Sequence, residues 1–409
     1  MLIELSISNF YSFREEQTFS MVATAKLQKK ENTFSPEVEK EKLPKLLKVA
    51  AIYGPNASGK SNLIKALELV GKLAARLPTA TEALPVAPFR FDTALANQPS
   101  RITLHFVSQK IRYEFNLSAT SERITEEKLT AYPKGKEALL YSRQHTGQGE
   151  QYTFGEQLEG DKALHSVWQQ LTNPKMLFIT QAVANSSDDM KQLRAPFEWL
   201  KSGLSIVEDD MGHWNKLAQT VAGIAPIAPQ LSAFLQEVDV PISSIRFDAP
   251  EPLINEPIGL ASVDSGNKTE KTAKRTLLTH KTALGEAEFD FTEESKGTQN
   301  LAGFWLPWLM KASRILVADE LDSSLHPNIV AALIKKHIEA EQPSQLIFTT
   351  HDTHLMDTKL MRRDQFWLTE RDMNGATQLR SIHQFEGRES EDLEKRYYEG
   401  RYRALPFVR

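Results

Sequence analysis

The stretch VAAIYGPNASGKSNLIKALELV, residues 49–70, decides how the chain is read. Within it Gly54-Pro55-Asn56-Ala57-Ser58-Gly59-Lys60-Ser61 fits the pattern G-x-x-x-x-G-K-[ST] without a mismatch. The residues before it, Val49-Ala50-Ala51-Ile52-Tyr53, form an apolar run of the length of a buried parallel strand. Those after it place Leu63, Ile64, Leu67 and Val70 at helical spacing. Strand, glycine-bounded loop and helix in that order turn backbone N–H groups inward around a β-phosphate. Lys60 then reaches the β/γ-oxygens, Ser61 sets its hydroxyl on Mg²⁺, and the helix N-terminus adds partial positive charge. Gly54 through Asn62 are the expected nucleotide-binding residues, and Lys60 is also expected to act in catalysis. A chance Gly/Ser turn is the plainer reading, and the context speaks against it.

A second landmark is ASRILVADELDSSLHP, residues 312–327. Ile315-Leu316-Val317-Ala318 reads as a buried strand with Asp319 and Glu320 at its end, expected to run beside the strand of the phosphate loop. Asp319 then holds Mg²⁺ through water while Glu320 polarises the attacking water. An ordinary strand ending in a solvated acidic turn is the alternative. In SQLIFTTHD, residues 344–352, Leu346-Ile347-Phe348 is a third apolar strand with His351 just beyond it. An imidazole there can contact a γ-phosphate and report whether it is present. His326 and His354 have no such placement.

The order of loop, acidic strand and histidine strand separates an ABC-type ATPase from kinases and GTPases. In FDFTEESKGTQNLAGFWLPWLM, residues 289–310, Ser295-Lys296-Gly297-Thr298 stands directly before an apolar helix. Two readings stand for it. One is a signature element, in which Ser295 and Gly297 offer a hydroxyl and a helix N-terminus to a γ-phosphate held by another subunit. It departs from LSGGQ, which has Gly at 296 and Gln at 298. The other is a plain helix cap.

Composition sets the outer limits. The 409 residues carry 49 Lys+Arg against 53 Asp+Glu, a formal net charge of −4, so no global basic field points to nucleic acid. There are no cysteines, which excludes disulfides and thiolate zinc sites and fits a reducing cytoplasm. MLIELSISNF alternates like a strand and lacks the basic flank and long apolar core of a signal peptide, and no apolar run reaches a membrane span.

The expected fold class is α/β, a P-loop NTPase of ABC-ATPase type. Residues 1–160 form an N-terminal half with a β-rich lobe, including Ile102–Phe106 and Tyr113–Leu117. Residues 161–285 form a mostly helical insertion suited to partner docking, in which Trp168, Phe197, Trp199 and Phe234 read as core. Residues 286–409 form the C-terminal half. The strongest basic stretch, GNKTEKTAKRTLLTHK at 266–281, carries Lys268, Lys271, Lys274, Arg275 and Lys281. It is either a phosphate-neutralising patch or a solvated Lys/Thr-rich loop.

The segments LIELSISNFYSFREEQTFSMVA, GPNASGKSNLIKAL, ESKGTQNL, DELDSSLHP and TTHD together resemble compact ABC-type AAA ATPases of bacterial anti-phage defence. Those are relatives of RloA, of AbiL-type abortive-infection ATPases and of AriA of the PARIS system, and more distantly of OLD-family and SMC/Rad-type heads. The tail EKRYYEGRYRALPF also looks like that family's closing segment, with Arg403 where a glycine is expected. The resemblance implies ATP and Mg²⁺ as cofactors and a homodimer or higher even oligomer. It also implies an operon-encoded effector, commonly a nuclease, as the partner that carries the toxic chemistry. No Toprim or HEPN pattern stands in the residues after His351. An SMC/Rad-like DNA repair ATPase is the second reading, and the ATP-hydrolysing subunit of a transporter is a third, disfavoured one.

Overall fold

The computed structural model describes residues 1–75, 82–207, 219, 227–238, 240–248, 275–309 and 315–405. They fall into two compact units: Met1–Ile206 with Ala312–Asp322 and His326–Arg409, and Val207–Lys311 with Ser323–Leu325.

In the first unit a six-stranded sheet runs in the order Leu204–Val207, Ile315–Ala318, Gln345–Thr349, Val49–Tyr53, Phe366–Arg371, Thr377–Ser381. The four strands Ile315–Ala318, Gln345–Thr349, Val49–Tyr53 and Phe366–Arg371 are parallel neighbours. Every residue of Val49–Tyr53, Ile315–Ala318 and Gln345–Thr349 is buried, as continuous apolar runs in a sheet covered on both faces require. One expectation is corrected here. The acidic strand does not lie beside the phosphate-loop strand, because the histidine strand stands between them. Ile315–Ala318 and Gln345–Thr349 are joined by one short crossover through helix Pro327–Glu339, which makes them neighbours. Only the far edge of Gln345–Thr349 is then left for Val49–Ile52.

A seven-stranded antiparallel sheet runs Gly149–Phe154, Ala138–Thr146, Ile124–Tyr132, Ile111–Ala119, Ser100–Ser108, Leu2–Ser8, Gln17–Ser20. The strands expected at 102–106 and 113–117 lie in it. Gln345 ties the two sheets together: its amide accepts from Leu2 N at 2.7 Å and donates to Leu2 O at 2.8 Å. Helices Lys162–Leu171, Phe178–Ala184 and Arg194–Ser202 belong to this same compact unit, whose first segment runs to Ile206. The physical reason is a buried polar clamp. Glu127 accepts from Phe178 N at 2.6 Å and Ile179 N at 3.1 Å, while Arg143 donates to Met176 O at 2.8 Å. Trp199 stacks on Phe106 with centroids 3.9 Å apart, and Trp168 and Phe197 are buried, as read from the sequence. The backbone at Arg403 has φ 60°, the left-handed region that accounts for a glycine being expected there.

The second unit holds helix Ile227–Glu237, a three-stranded antiparallel sheet of Ile242–Asp248, Arg275–Thr282 and Gly285–Asp290, and helix Lys296–Leu309. Within the span expected to be mostly helical, Ile242–Asp248 and Arg275–Thr282 are strands, and residues 249–274 lie outside the described residues. Phe234 is core, packing against Trp305 with ring centroids 6.1 Å apart. Of the basic stretch, Arg275 pairs with Asp290 at 3.1 Å and Lys281 with Glu286 at 3.0 Å. Lys268, Lys271 and Lys274 lie outside the described residues.

Helix Pro327–Glu339 packs with His337 only 2% exposed. Burial pushes this imidazole down from 6.5 to about 4, so the folded state holds it neutral where the unfolded chain takes up a proton. Its stabilising contribution is complete above the unfolded value and is lost as the pH falls from 6.5 towards about 4. The full shift corresponds to roughly 3 kcal/mol. The stability of the parent relative to His337→Gln, from denaturant titrations, should therefore fall by up to that amount across the interval. A gap independent of pH would show that burial does not hold the imidazole neutral.

Candidate functional site

The site is built at the carboxyl ends of the parallel strands, where open α/β sheets bind ligands. Val49–Tyr53 ends in a loop that passes into helix Lys60–Ala75. Gly54 and Gly59 have φ 155° and 108°, outside the range side-chain-bearing residues adopt readily. Space forbids a side chain as well: a Cβ on Gly54 would collide with the Thr369 hydroxyl and carbonyl, and one on Gly59 with the Thr377 hydroxyl. Ala57, at φ 61°, carries further backbone strain in the same loop.

Hydroxyls from distant segments clamp the loop from outside. Ser58 Oγ and Thr369 Oγ1 share a hydrogen bond of 2.6 Å, and Thr377 Oγ1 donates to Ser58 O at 2.8 Å. Asn62 Nδ2 donates to Ser12 Oγ at 2.8 Å, so Asn62 serves the clamp. Ser12, Thr369 and Thr377 were not read from the sequence. Isolated Ser and Thr residues carry no local signal for a partner more than three hundred positions away.

Lys60 is buried, and its ammonium donates to Gly54 O at 2.8 Å and Pro55 O at 3.3 Å. It also lies 3.0 Å from His351 Nε2. An ammonium can only donate, so Nε2 accepts and the imidazole proton sits on Nδ1. Burial pulls Lys60 below the ordinary lysine range, opposed by the charges of Asp319, Glu320 and Asp322. Loop cation, histidine and acidic turn are thus within electrostatic reach of one another.

Asp319 and Glu320 are exposed at the end of Ile315–Ala318. The buried Thr349 hydroxyl donates to Asp319 Oδ1 at 2.5 Å and accepts from Glu320 N at 2.7 Å. Glu320 has φ 51°, uncommon for a side-chain-bearing residue. Asp322 Oδ2 accepts from His351 N at 3.4 Å, a further contact unseen in the sequence. Ser61 is exposed in the first turn of helix Lys60–Ala75.

Ser295 and Gly297 lie in the second unit. Ser295 Oγ accepts from Thr298 N at 3.1 Å, the geometry of an N-cap on helix Lys296–Leu309. A Cβ on Gly297 would stand 2.7 Å from Ser324 O, so only glycine allows that approach.

These residues fit a magnesium-bound triphosphate. The loop bounded by Gly54 and Gly59, the buried cation and the carboxylate at the strand end supply the required donors and charge. Among the described residues no group of three or more His, Cys, Asp or Glu could hold a metal ion alone. Magnesium in such sites shares its coordination with substrate phosphates.

Residues 49–357 match the family described as "AAA domain, putative AbiEii toxin, Type IV TA system". The chain belongs to this AAA family. The matched span runs from the phosphate-loop strand past His351, and the AAA chain carries the ATPase domain that its loop motif indicated. No curated protein matches it. Among solved structures, the AAA chain is 14% identical to the SMC head bound to the C-winged helix domain of ScpA, with TM-score 0.45, covering 93% of this chain and 97% of that one. The SMC head domain from Thermotoga maritima is also 14% identical, with TM-score 0.40 and coverage of 93% and 98%. An SMC head with extended coiled coil, bound to the C-terminal domain of ScpA and derived from Pyrococcus furiosus, gives 14%, 0.40, 94% and 97%. These likenesses are distant. Among the described residues no helix of the AAA chain is long and apolar enough to cross a membrane.

Proposed function

We propose that this protein hydrolyses ATP at the Lys60 site, closes as a homodimer or higher even oligomer around the nucleotide, and thereby controls a partner effector. The observation that carries the reading is the 3.0 Å approach of Lys60 Nζ to His351 Nε2 beside the acidic turn. A γ-phosphate entering the loop competes with His351 for the Lys60 donors. Once released, His351 is free to contact that phosphate, so its position reports nucleotide state. Lys60 and the loop N–H groups bind and orient the phosphates, and Glu320 takes the proton of the attacking water. Ser61 and Asp319 would hold Mg²⁺, which when bound neutralises charge on the phosphate oxygens. The effector is, on the resemblance, a nuclease in anti-phage defence; the toxin–antitoxin wording of the family description supports a role in a two-component system and names no nuclease.

If Ser295 completes the site of a second copy, two inactive variants should restore one another. Ser295→Arg puts a long cation where the opposing phosphate docks, and Lys60→Ala removes the loop cation. A mixed dimer then has one doubly defective site and one intact site. With random assembly half the dimers are mixed, so roughly a quarter of parental activity should return if sites act independently. Zero recovery from demonstrably mixed dimers would argue against shared sites and leave Ser295 as a helix cap.

A further inference from the structure

We propose that Thr349 is a positioning residue for hydrolysis, its hydroxyl holding the two acids of the turn while its carbonyl holds the residue after them. The inference rests on the ATPase reading of the Lys60 site and deepens it. Thr349 binds three successive residues: its hydroxyl donates to Asp319 Oδ1 and accepts from Glu320 N, and its carbonyl accepts from Leu321 N at 3.1 Å. The neighbouring Thr350 does something else, since its hydroxyl accepts from Asp352 N at 2.9 Å.

A hydroxyl has one proton and two lone pairs, so donating to one neighbour and accepting from the next fixes both at once. Asp319 is exposed, and without this bond its carboxylate would be free to change rotamer. With Oδ1 held, the second carboxylate oxygen keeps one orientation, in which it would serve Mg²⁺ when bound. Glu320 needs the contact for another reason. Its left-handed backbone is strained for a side-chain-bearing residue. The bond from its N–H to a fully buried hydroxyl offsets that strain and sets where the Glu320 side chain starts. Because Thr349 ends the strand next to the phosphate-loop strand, sheet pairing locks its backbone through the register Thr349↔Ile52.

Thr349→Val keeps the shape and removes the hydroxyl, and Thr349→Ser restores it. The valine variant should lose about 10- to 100-fold in kcat, the usual effect of removing an orienting partner of a metal-binding carboxylate. The Mg²⁺ concentration for half-maximal turnover should rise by about 10-fold. Mn²⁺ affinity beside a non-hydrolysable ATP analogue, read by electron paramagnetic resonance, should weaken in parallel. Metal-free ATP binding depends on the loop and should stay parental, which also checks the fold. Thr349→Ser should return both quantities to within about 3-fold of the parent. Should valine prevent folding, Thr349→Ala, which adds no bulk, is read in its place. Parental kcat and metal affinity in the valine variant, beside an inactive Lys60→Ala, overturn this inference alone. So does a folded serine variant as impaired as valine. Parental turnover in Lys60→Ala overturns the ATPase reading and this inference with it.

Discussion

Lys60→Ala should bind ATP weakly and hydrolyse it at least about a hundred-fold more slowly than the parent. Losing one preorganised donor to a developing charge typically costs that much in rate. The site makes the expectation specific. Lys60 is a buried cation that donates to Gly54 O and Pro55 O and approaches His351, so its removal takes the charge out of the loop itself. The fold should survive the change. Burial already disfavours the charged ammonium, and alanine is a good helix former at the start of Lys60–Ala75. A melting temperature close to the parent's, together with lost nucleotide binding in a calorimetric titration, is the expected pair of results. Hydrolysis at the parental rate would remove the phosphate-loop function from this chain.

Glu320→Gln should bind ATP, turn it over some 10²- to 10⁴-fold more slowly, and accumulate the closed assembly. A positioned general base contributes about that range, and the amide keeps size and hydrogen bonding without accepting a proton. The backbone argument is equally important. Glu320 sits at φ 51° with its N–H on Thr349, and glutamine leaves that contact intact. The loss therefore reports on the carboxylate and not on a displaced turn. Size exclusion with ATP and Mg²⁺ should show a larger and more persistent species than the parent gives. Undiminished turnover would take Glu320 out of the reaction and leave Asp319 as the acid that matters.

The two experiments divide the site sensibly. Lys60 fails at binding and Glu320 fails after it, so a protein that loses both functions in both variants would point to misfolding and not to chemistry.

Much of this was legible from residues 49–70 and their downstream counterparts, because the signals there are local. Five consecutive apolar residues are what a strand buried on both faces requires, and Val49–Tyr53 is one. Gly54 and Gly59 mark places where the backbone leaves the ordinary range and where a Cβ would strike a neighbour. Helical spacing from Leu63 to Val70 and the N-cap at Ser295 are likewise settled within one or two turns. What tertiary structure decided is long-range. Nothing within the segment Gln345–Thr349 says that it pairs with Val49–Ile52, yet that pairing puts Thr349 and His351 between the loop and the acids. Thr369 and Thr377 grip Ser58 across 311 and 319 positions of sequence, and Thr377 also bonds Ser12 across 365, through side chains found in any polar turn. The boundary after Ile206 follows from Glu127 and Arg143 seizing helix ends and carbonyls around residue 176, a polar clamp that helical periodicity cannot reveal. Backbone conformation and apolar periodicity are short-range properties that a sequence carries openly. Strand order and hydroxyl pairing are set by which distant surfaces meet, and only the folded chain brings those together.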